Sequence, residues 1–209
     1  KFIQKWVERA RFYMVRKSKE DAELTRKRII TAAREVFLSR GVSRTTLEHI
    51  ATQANVTRGA IYWHFKNKTE IFHAIREQVL LPLIDRMDDS LTLDGNDDPL
   101  TQIEKSLCQT IDDLNDNIEM RETYEIIMIK CEYVEDFSEV LQQILENCSS
   151  ILDKLVLGYQ RAQAQNLLAC TLSPLALAQD THLFFSGLLH MGGKEGDGRR
   201  FRNQAKSLI

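Results

Sequence analysis

The chain has 209 residues, a formal net charge of −2, and only three prolines and nine glycines. That length can bury a substantial core without a metal or disulfides, and apolar residues recurring at helical spacing predict an all-α fold. Divided after Lys68, the charge is lopsided: sixteen Lys/Arg stand against six Asp/Glu before that point, a net of +10, and twelve against twenty-four after it, a net of −12. The pattern predicts an N-terminal part that faces a polyanion and a C-terminal part that avoids one.

The first segment, residues 1–13, sets Phe2, Ile3, Trp6, Val7 and Ala10 on one stripe and predicts a short amphipathic helix. Because Met14 and VRKSKEDAELTRKRII read as a natural start, the segment is expected to be a leader or an appended remnant, and no role is assigned to it. From Asp21 to Ser39, Leu24, Ile29, Ala32, Ala33, Val36 and Phe37 form a core-facing stripe, with Gly41 as the stop. Thr45 and Glu48 fit a T-x-x-E capping box, so a second helix is expected from about Thr46 to Ala54. Asn55 tolerates a left-handed turn, and Thr57 caps a short third helix through RGAIYWHF.

Two short helices joined by a tight turn suit a major-groove reader, because that groove admits one helix whose first residues reach base edges. Ala51 and Val56 let the pair pack closely, and Ile50 and Ile61 are expected to bury against the first helix near Phe37. Asn67 and Glu70 cap a long fourth helix that Pro82 should bend. LTLDGNDDP, 91–99, reads as a loop. Further helices are expected at 99–116, 119–132, 135–166, 173–191 and 199–209, with GGKEGDG, 192–198, as a connection.

TTLEHIATQANVTRGAIYWHFKNKTEIF, residues 45–72, resembles the signature of TetR-family regulators. VTRGAIYWHFKNK, 56–68, is especially similar to the family's repressors of multidrug efflux pumps, the AcrR, TtgR and SmeT kind, and KCEYVEDF, 130–137, resembles the same subgroup. The likeness is dense from Lys17 to Phe72. It implies an N-terminal three-helix helix-turn-helix DNA-binding domain, 14–68, followed by a larger helical ligand-binding and dimerisation domain, 69–209.

Carried over by position, Thr57, Arg58, Tyr62 and His64 lie on the DNA-facing side of the third helix, and Gly59 lets its backbone approach the duplex. Arg58 is the first candidate for base readout, since its fork matches guanine O6 and N7; Tyr62, Trp63 and His64 offer phosphate hydrogen bonds and apolar contact. Thr45, Thr46 and Lys68 are expected to clamp the phosphate backbone from helix starts. The simpler alternatives are core packing for Trp63 and Phe65, a helix-end cap for His64 and a solvated charge for Lys66.

The resemblance also implies a drug-sized cavity for a small hydrophobic or aromatic effector. Candidate lining residues are Leu80, Leu83, Leu107, Thr110, Leu114, Ile127, Cys131, His182, Phe185 and Ser186, with plain core packing the alternative for each aliphatic one. Phe184, Leu188 and Leu189 sit in a segment that resembles the family's dimer helices, with Gly187 permitting close approach. Homodimerisation also follows from function, because one recognition helix contacts too few bases, whereas a twofold pair matches a pseudo-palindromic operator on double-stranded DNA.

Cys108, Cys131, Cys148 and Cys170 lie far apart, without a C-x-x-C pair or a histidine at ligand spacing, so no metal, disulfide or cofactor is expected. No stretch resembles a membrane span or a signal peptide, so a cytoplasmic protein with no membrane partner is expected. Enzyme signatures such as G-x-S-x-G, H-E-x-x-H and the Walker lysine are missing from the sequence. The remaining alternative is a helical carrier or interaction protein whose helix-turn-helix contacts protein; steep salt dependence of duplex binding separates the two.

Overall fold

The structure, a computed structural model, describes residues 2–92, 98–134, 137–169, 171–194 and 198–209, with side chains throughout except at 2–18, 80–83 and 86–92. Every regular element among the described residues is helical: α1 Phe2–Arg40, α2 Leu47–Ala54, α3 Arg58–His64, α4 Lys68–Thr92, α5 Pro99–Asp116, α6 Ile118–Glu125 with a π turn at Ile126–Lys130, α7 Ser138–Ala164, α8 Pro174–Gly192 and α9 Arg199–Leu208. The chain divides into two compact units, Lys1–Ala74 and Ile75–Ile209.

In the first unit α1 is one helix where two were expected, running unbroken through residues 1–13 from Phe2 onward. Ile29, Ile30, Ala33 and Phe37 are buried on its inner stripe, but Leu24, expected there, is 60% exposed. Gly41 ends the helix at φ 81, a left-handed position that favours glycine, and its N–H closes on the Phe37 carbonyl at 2.8 Å. Ile50 from α2, Ile61 from α3, and Ile71 and Phe72 from α4 are all buried, and the Phe37 and Phe72 rings meet at 6.2 Å between centroids, tilted 58°. Fully burying such side chains stabilises by about 1.5–3 kcal/mol each.

The expected capping box is shifted by one residue. Thr46, not Thr45, is the N-cap of α2: its hydroxyl accepts from His49 N at 3.2 Å, and His49 Nδ1 accepts from Thr46 N at 3.3 Å. Thr45 instead turns inward, 2% exposed, and donates its hydroxyl to the Gly41 carbonyl at 2.7 Å. Asn55 adopts the left-handed conformation expected of it, φ 52 and ψ 49, between α2 and α3.

In the second unit Asp98 caps α5 by accepting from Leu100 N and Thr101 N, with Pro99 in the first turn, and Ser173 caps α8 ahead of Pro174. Thr101's hydroxyl and amide hold the Asp98 carboxyl below its usual range. Ile103, Leu107 and Ile111 of α5, Leu155 of α7, Ala178, Phe185 and Leu188 of α8 and Ala205 of α9 form one core cluster. Gly158 of α7 lies so close to Ile103 that a Cβ there would stand 3.0 Å from its Cδ1.

Three boundaries differ from expectation for local reasons. The helix expected over 119–132 stops being α-helical at Glu125, passes through the π turn and becomes extended at Cys131, while the Tyr133 hydroxyl donates to the Ile127 carbonyl. Isoleucines 126, 127 and 129 crowd that turn, and β-branched side chains are stiff within a helix. α7 ends at Ala164 because Asn166 takes φ 57. α4 extends to Thr92 into the expected loop; residues 93–97 of that loop, and 195–197 of the connection before α9, lie outside the described ones, as do the side chains around Pro82, where a bend was expected.

Replacing a threonine N-cap by alanine costs about 1 kcal/mol, or roughly 2–4 °C of melting temperature in a chain of this size. Thr46→Ala should show that loss in a thermal melt and His49→Ala a smaller one. A harmless Thr46→Ala would contradict the reciprocal cap.

Candidate nucleic-acid interface

α3 has seven residues, too few to persist as a helix alone in water. Thr57 starts it, its hydroxyl accepting from Ala60 N at 3.1 Å, and Phe65 ends it in an extended conformation with its N–H on the Ile61 carbonyl at 2.8 Å. Ile61 is 0% and Phe65 2% exposed, so these two anchor the helix on its inner side, and core packing is the role of Phe65. The Arg26 guanidinium carbon lies 5.1 Å from the Phe65 ring centroid and covers it.

The opposite side carries Arg58, Gly59, Tyr62 and Trp63, all exposed. Trp63, for which core packing was the alternative, is 73% exposed, and the His64 ring meets it edge-on at 4.5 Å. Arg58 donates to the Tyr62 hydroxyl at 3.0 Å and lies 5.4 Å from the ring centroid. The hydrogen bond to Tyr62 raises the Arg58 pKa further, and the guanidinium is permanently cationic. A Cβ on Gly59 would meet nothing nearer than Thr57 Oγ1 at 3.8 Å, so no neighbour within the protein requires glycine there.

Two cations of the basic N-terminal part are internal staples. Lys68, expected to clamp phosphate, places Nζ 2.7 Å from the Val42 carbonyl and 3.1 Å from that of Ser43, tying the start of α4 to the turn before α2. Arg28 donates Nη2 to the Ala54 carbonyl at 2.8 Å and the Asn55 carbonyl at 3.3 Å, satisfying the open end of α2. Sequence reasoning overlooked Arg28, whose partners lie 26 and 27 positions away. Of the two threonines expected to touch the phosphate backbone, Thr45 is buried and Thr46 is exposed.

In the second unit, Leu107 and Phe185 share the core cluster, while Thr110, Leu114 and Ile127 are buried, and Thr110 donates its hydroxyl to the Ser106 carbonyl at 3.0 Å. Cys131, His182 and Ser186 are half-buried, and burial lowers the pKa of His182. The side chains of Leu80 and Leu83 lie outside the described ones. Leu107 and Phe184 also line a surface depression with Ile103, Tyr159 and Ile209, and the Tyr159 hydroxyl is hydrogen-bonded to that of Thr181 beside it.

α8 turns Leu188 inward, 7% exposed in the core cluster, with the half-buried Leu189 packed against it. The exposed stripe is instead Leu183, Phe184, Gly187 and Met191, with Leu183 at 70%, and nothing lies within 4 Å of a Cβ placed on Gly187. Among the described residues no three of His, Cys, Asp or Glu come together to hold a metal, and no helix is long and apolar enough to cross a membrane.

The sequence profile of bacterial regulatory proteins, tetR family, matches residues 29–75. The HTH-type transcriptional regulator TtgR of Pseudomonas putida is 42% identical over 140 residues, 67% of this chain and 65% of TtgR's own length. The crystal structure of NalD, the secondary repressor of the MexAB-OprM multidrug efflux pump in Pseudomonas aeruginosa, matches with a TM-score of 0.75 at 30% identity, covering 90% of this chain and 93% of NalD. SmeT in complex with triclosan matches with a TM-score of 0.68 at 30% identity, over 88% and 91% of the two chains; SmeT is the repressor of the Stenotrophomonas maltophilia multidrug efflux pump SmeDEF.

The two aromatic neighbours on α3 should part company on mutation. Phe65→Ala should cost about 3–5 kcal/mol, whereas Trp63→Ala should stay within about 0.5 kcal/mol in a denaturant melt. Equal losses would place Trp63 in the core.

Burial, then the charge of Arg26, hold the His64 pKa below 6.5, with Glu23 pulling the other way. The unfolded chain therefore takes up its proton first, and stability contributed by neutral His64 is lost as pH falls from 6.5 toward the lowered folded value, with no change above 6.5. Wild type should lose melting temperature relative to His64→Gln between about pH 7.5 and about pH 5.5. Parallel curves would show that the ring titrates as it does in solvent.

Proposed function

The chain belongs to the TetR family of bacterial regulatory proteins, and on that premise we propose that it is a dimeric repressor of a multidrug efflux pump operon, released from its operator by small hydrophobic or aromatic ligands. The observation that carries this reading is the two-sided α3: Ile61 and Phe65 hold it down while Arg58, Gly59, Tyr62 and Trp63 face outward with few partners of their own. A cationic fork, two aromatics and a bare backbone on one short helix suit a major groove flanked by phosphates.

In the mechanism, the dimer sets two α3 helices into successive major-groove faces of a pseudo-palindromic site. Arg58 leaves the Tyr62 ring and pairs with guanine O6 and N7, a contact that contributes about 1–3 kcal/mol of discrimination. Thr46, Thr57, Tyr62, Trp63 and His64 engage the sugar–phosphate backbone, and Gly59 admits it closely. Lys68 acts indirectly, holding the turn that presents Thr46. The apolar stripe Leu183, Phe184, Gly187 and Met191 of α8 supplies the twofold contact.

The pump reading is supported by NalD and SmeT, each described as a repressor of such a pump, and the effector reading by the triclosan held in SmeT. Release works through α4, which carries the chain from one unit into the other. An effector that binds better when α4 is displaced shifts the population away from operator spacing, and a hundredfold loss of occupancy needs roughly 2.7 kcal/mol of such coupling.

Arg58→Ala should lower the preference for the native promoter fragment over unrelated duplex by about 10- to 100-fold in a footprint or gel-shift titration, with effector affinity unchanged. Wild-type binding should weaken steeply as salt rises. A chain that ignores its own promoter fragment at low salt, or binds duplex without salt dependence, would refute DNA recognition by α3.

A further inference from the structure

Arg76, on the part of α4 that belongs to the second unit, is 5% exposed. Its Nη1 donates to Gln143 Oε1 on α7 at 2.5 Å, and its Nε is buried with no acceptor. A guanidinium carries five N–H donors and stays charged in proteins. Withdrawing it from water costs several kcal/mol unless an anion or a full set of acceptors compensates.

One neutral amide oxygen is a poor return for that cost, and the residues around it offer little more. The Tyr133 phenol is close enough for the Arg76 charge to oppose the upward pull of burial on its pKa, yet its hydroxyl is committed to the Ile127 carbonyl on the π turn. Glu77, the next residue, lends Arg76 some favourable charge, but its side chain is exposed and makes no ion pair with the guanidinium. Acids are abundant in this part of the chain, twenty-four against twelve Lys/Arg after Lys68, yet among the described residues none is paired with Arg76. Ile127, expected to line the effector cavity, belongs to that turn, and Cys131, expected there too, directly follows it; π turns are frequent at functional sites. Gln143 is itself exposed, so the guanidinium lies one side chain below solvent.

We propose that Arg76, steadied by Gln143, selects effectors that join an aromatic or apolar body to a carboxylate or similar anionic group. This rests on the effector reading above and names its ligand class. The anion supplies the missing counter-charge and takes the donors that the protein leaves open, so the fork engages two oxygens at once. Before the effector arrives, the buried cation, compensated only by Gln143 and the exposed charge of Glu77, is a local source of instability that binding relieves.

The test is calorimetric titration of the full chain with 2-naphthoate and 2-naphthamide, which share a ring system and differ in charge, alongside operator release and melting. Wild type should prefer the carboxylate by about tenfold or more, as a hydrogen-bonded charge pair implies. Arg76→Met should lose that preference, keep its affinity for the amide within about twofold, and melt no lower than wild type. Arg76→Lys, which keeps the charge without the fork, should lower the preference at least about threefold, and it carries the test if the Met variant does not fold. A wild type indifferent to the charge, a preference that survives both substitutions, or a marked drop in melting with no change in preference would overturn the proposal and leave Arg76 a structural residue. If the amide or triclosan releases the operator while naphthoate does not, anion selection falls and the effector reading stands. If none of the three binds, the effector reading falls with it.

Discussion

α3 is a helix only because something else holds it. Seven residues bring too few internal hydrogen bonds to offset the entropy of ordering them, so its geometry depends on the burial of Ile61 and Phe65 at one side and the Thr57 cap at its start. All that the outward face can do follows from this anchorage. Tyr62 and Trp63 are presented to solvent because the positions that point inward are filled, and Arg58 can extend along the surface because Tyr62 offers it a ring and a hydroxyl.

Charge alone overstates how much of the first unit is available to a polyanion. Arg28 and Lys68 count toward the net of +10 over residues 1–68, yet each is engaged with main-chain carbonyls of a turn beside α2. Helix ends leave carbonyls and amides without partners, and a domain with short helices has many ends for its size. Here cations close some of those ends, so basic composition partly serves to hold the module together. The cations that remain exposed on the reading surface, Arg58 first among them, are fewer than the sequence count suggests.

What the sequence made legible was local. Gly41 as a helix stop, Asn55 in a left-handed turn, Thr57 as a cap and a helix beginning at Pro99 all follow from chemistry within four residues. The threonine pair was ambiguous for the same reason: either residue can cap α2, Glu48 favours Thr45 by spacing, and only the turn from Gly41 shows that Thr45 points inward. Partners distant in sequence were not legible, as with Lys68 and Val42 or Arg76 and Gln143. The phase of α8 was hidden because HLFFSGLLHM is apolar around much of its circumference, so Leu188 and Leu183 look alike until packing separates them.

The division of labour on α3 also bears on how such a protein changes over time. The residues that keep the helix in place and those that face outward are different residues, and the outward set has few obligations to the rest of the chain. Selection can therefore rewrite the surface that chooses a binding partner without first finding a compensating change in the interior. Duplicated copies of such a gene can diverge in target while sharing one scaffold, and an engineer grafting a new recognition surface has four adjoining positions to alter before the fold objects.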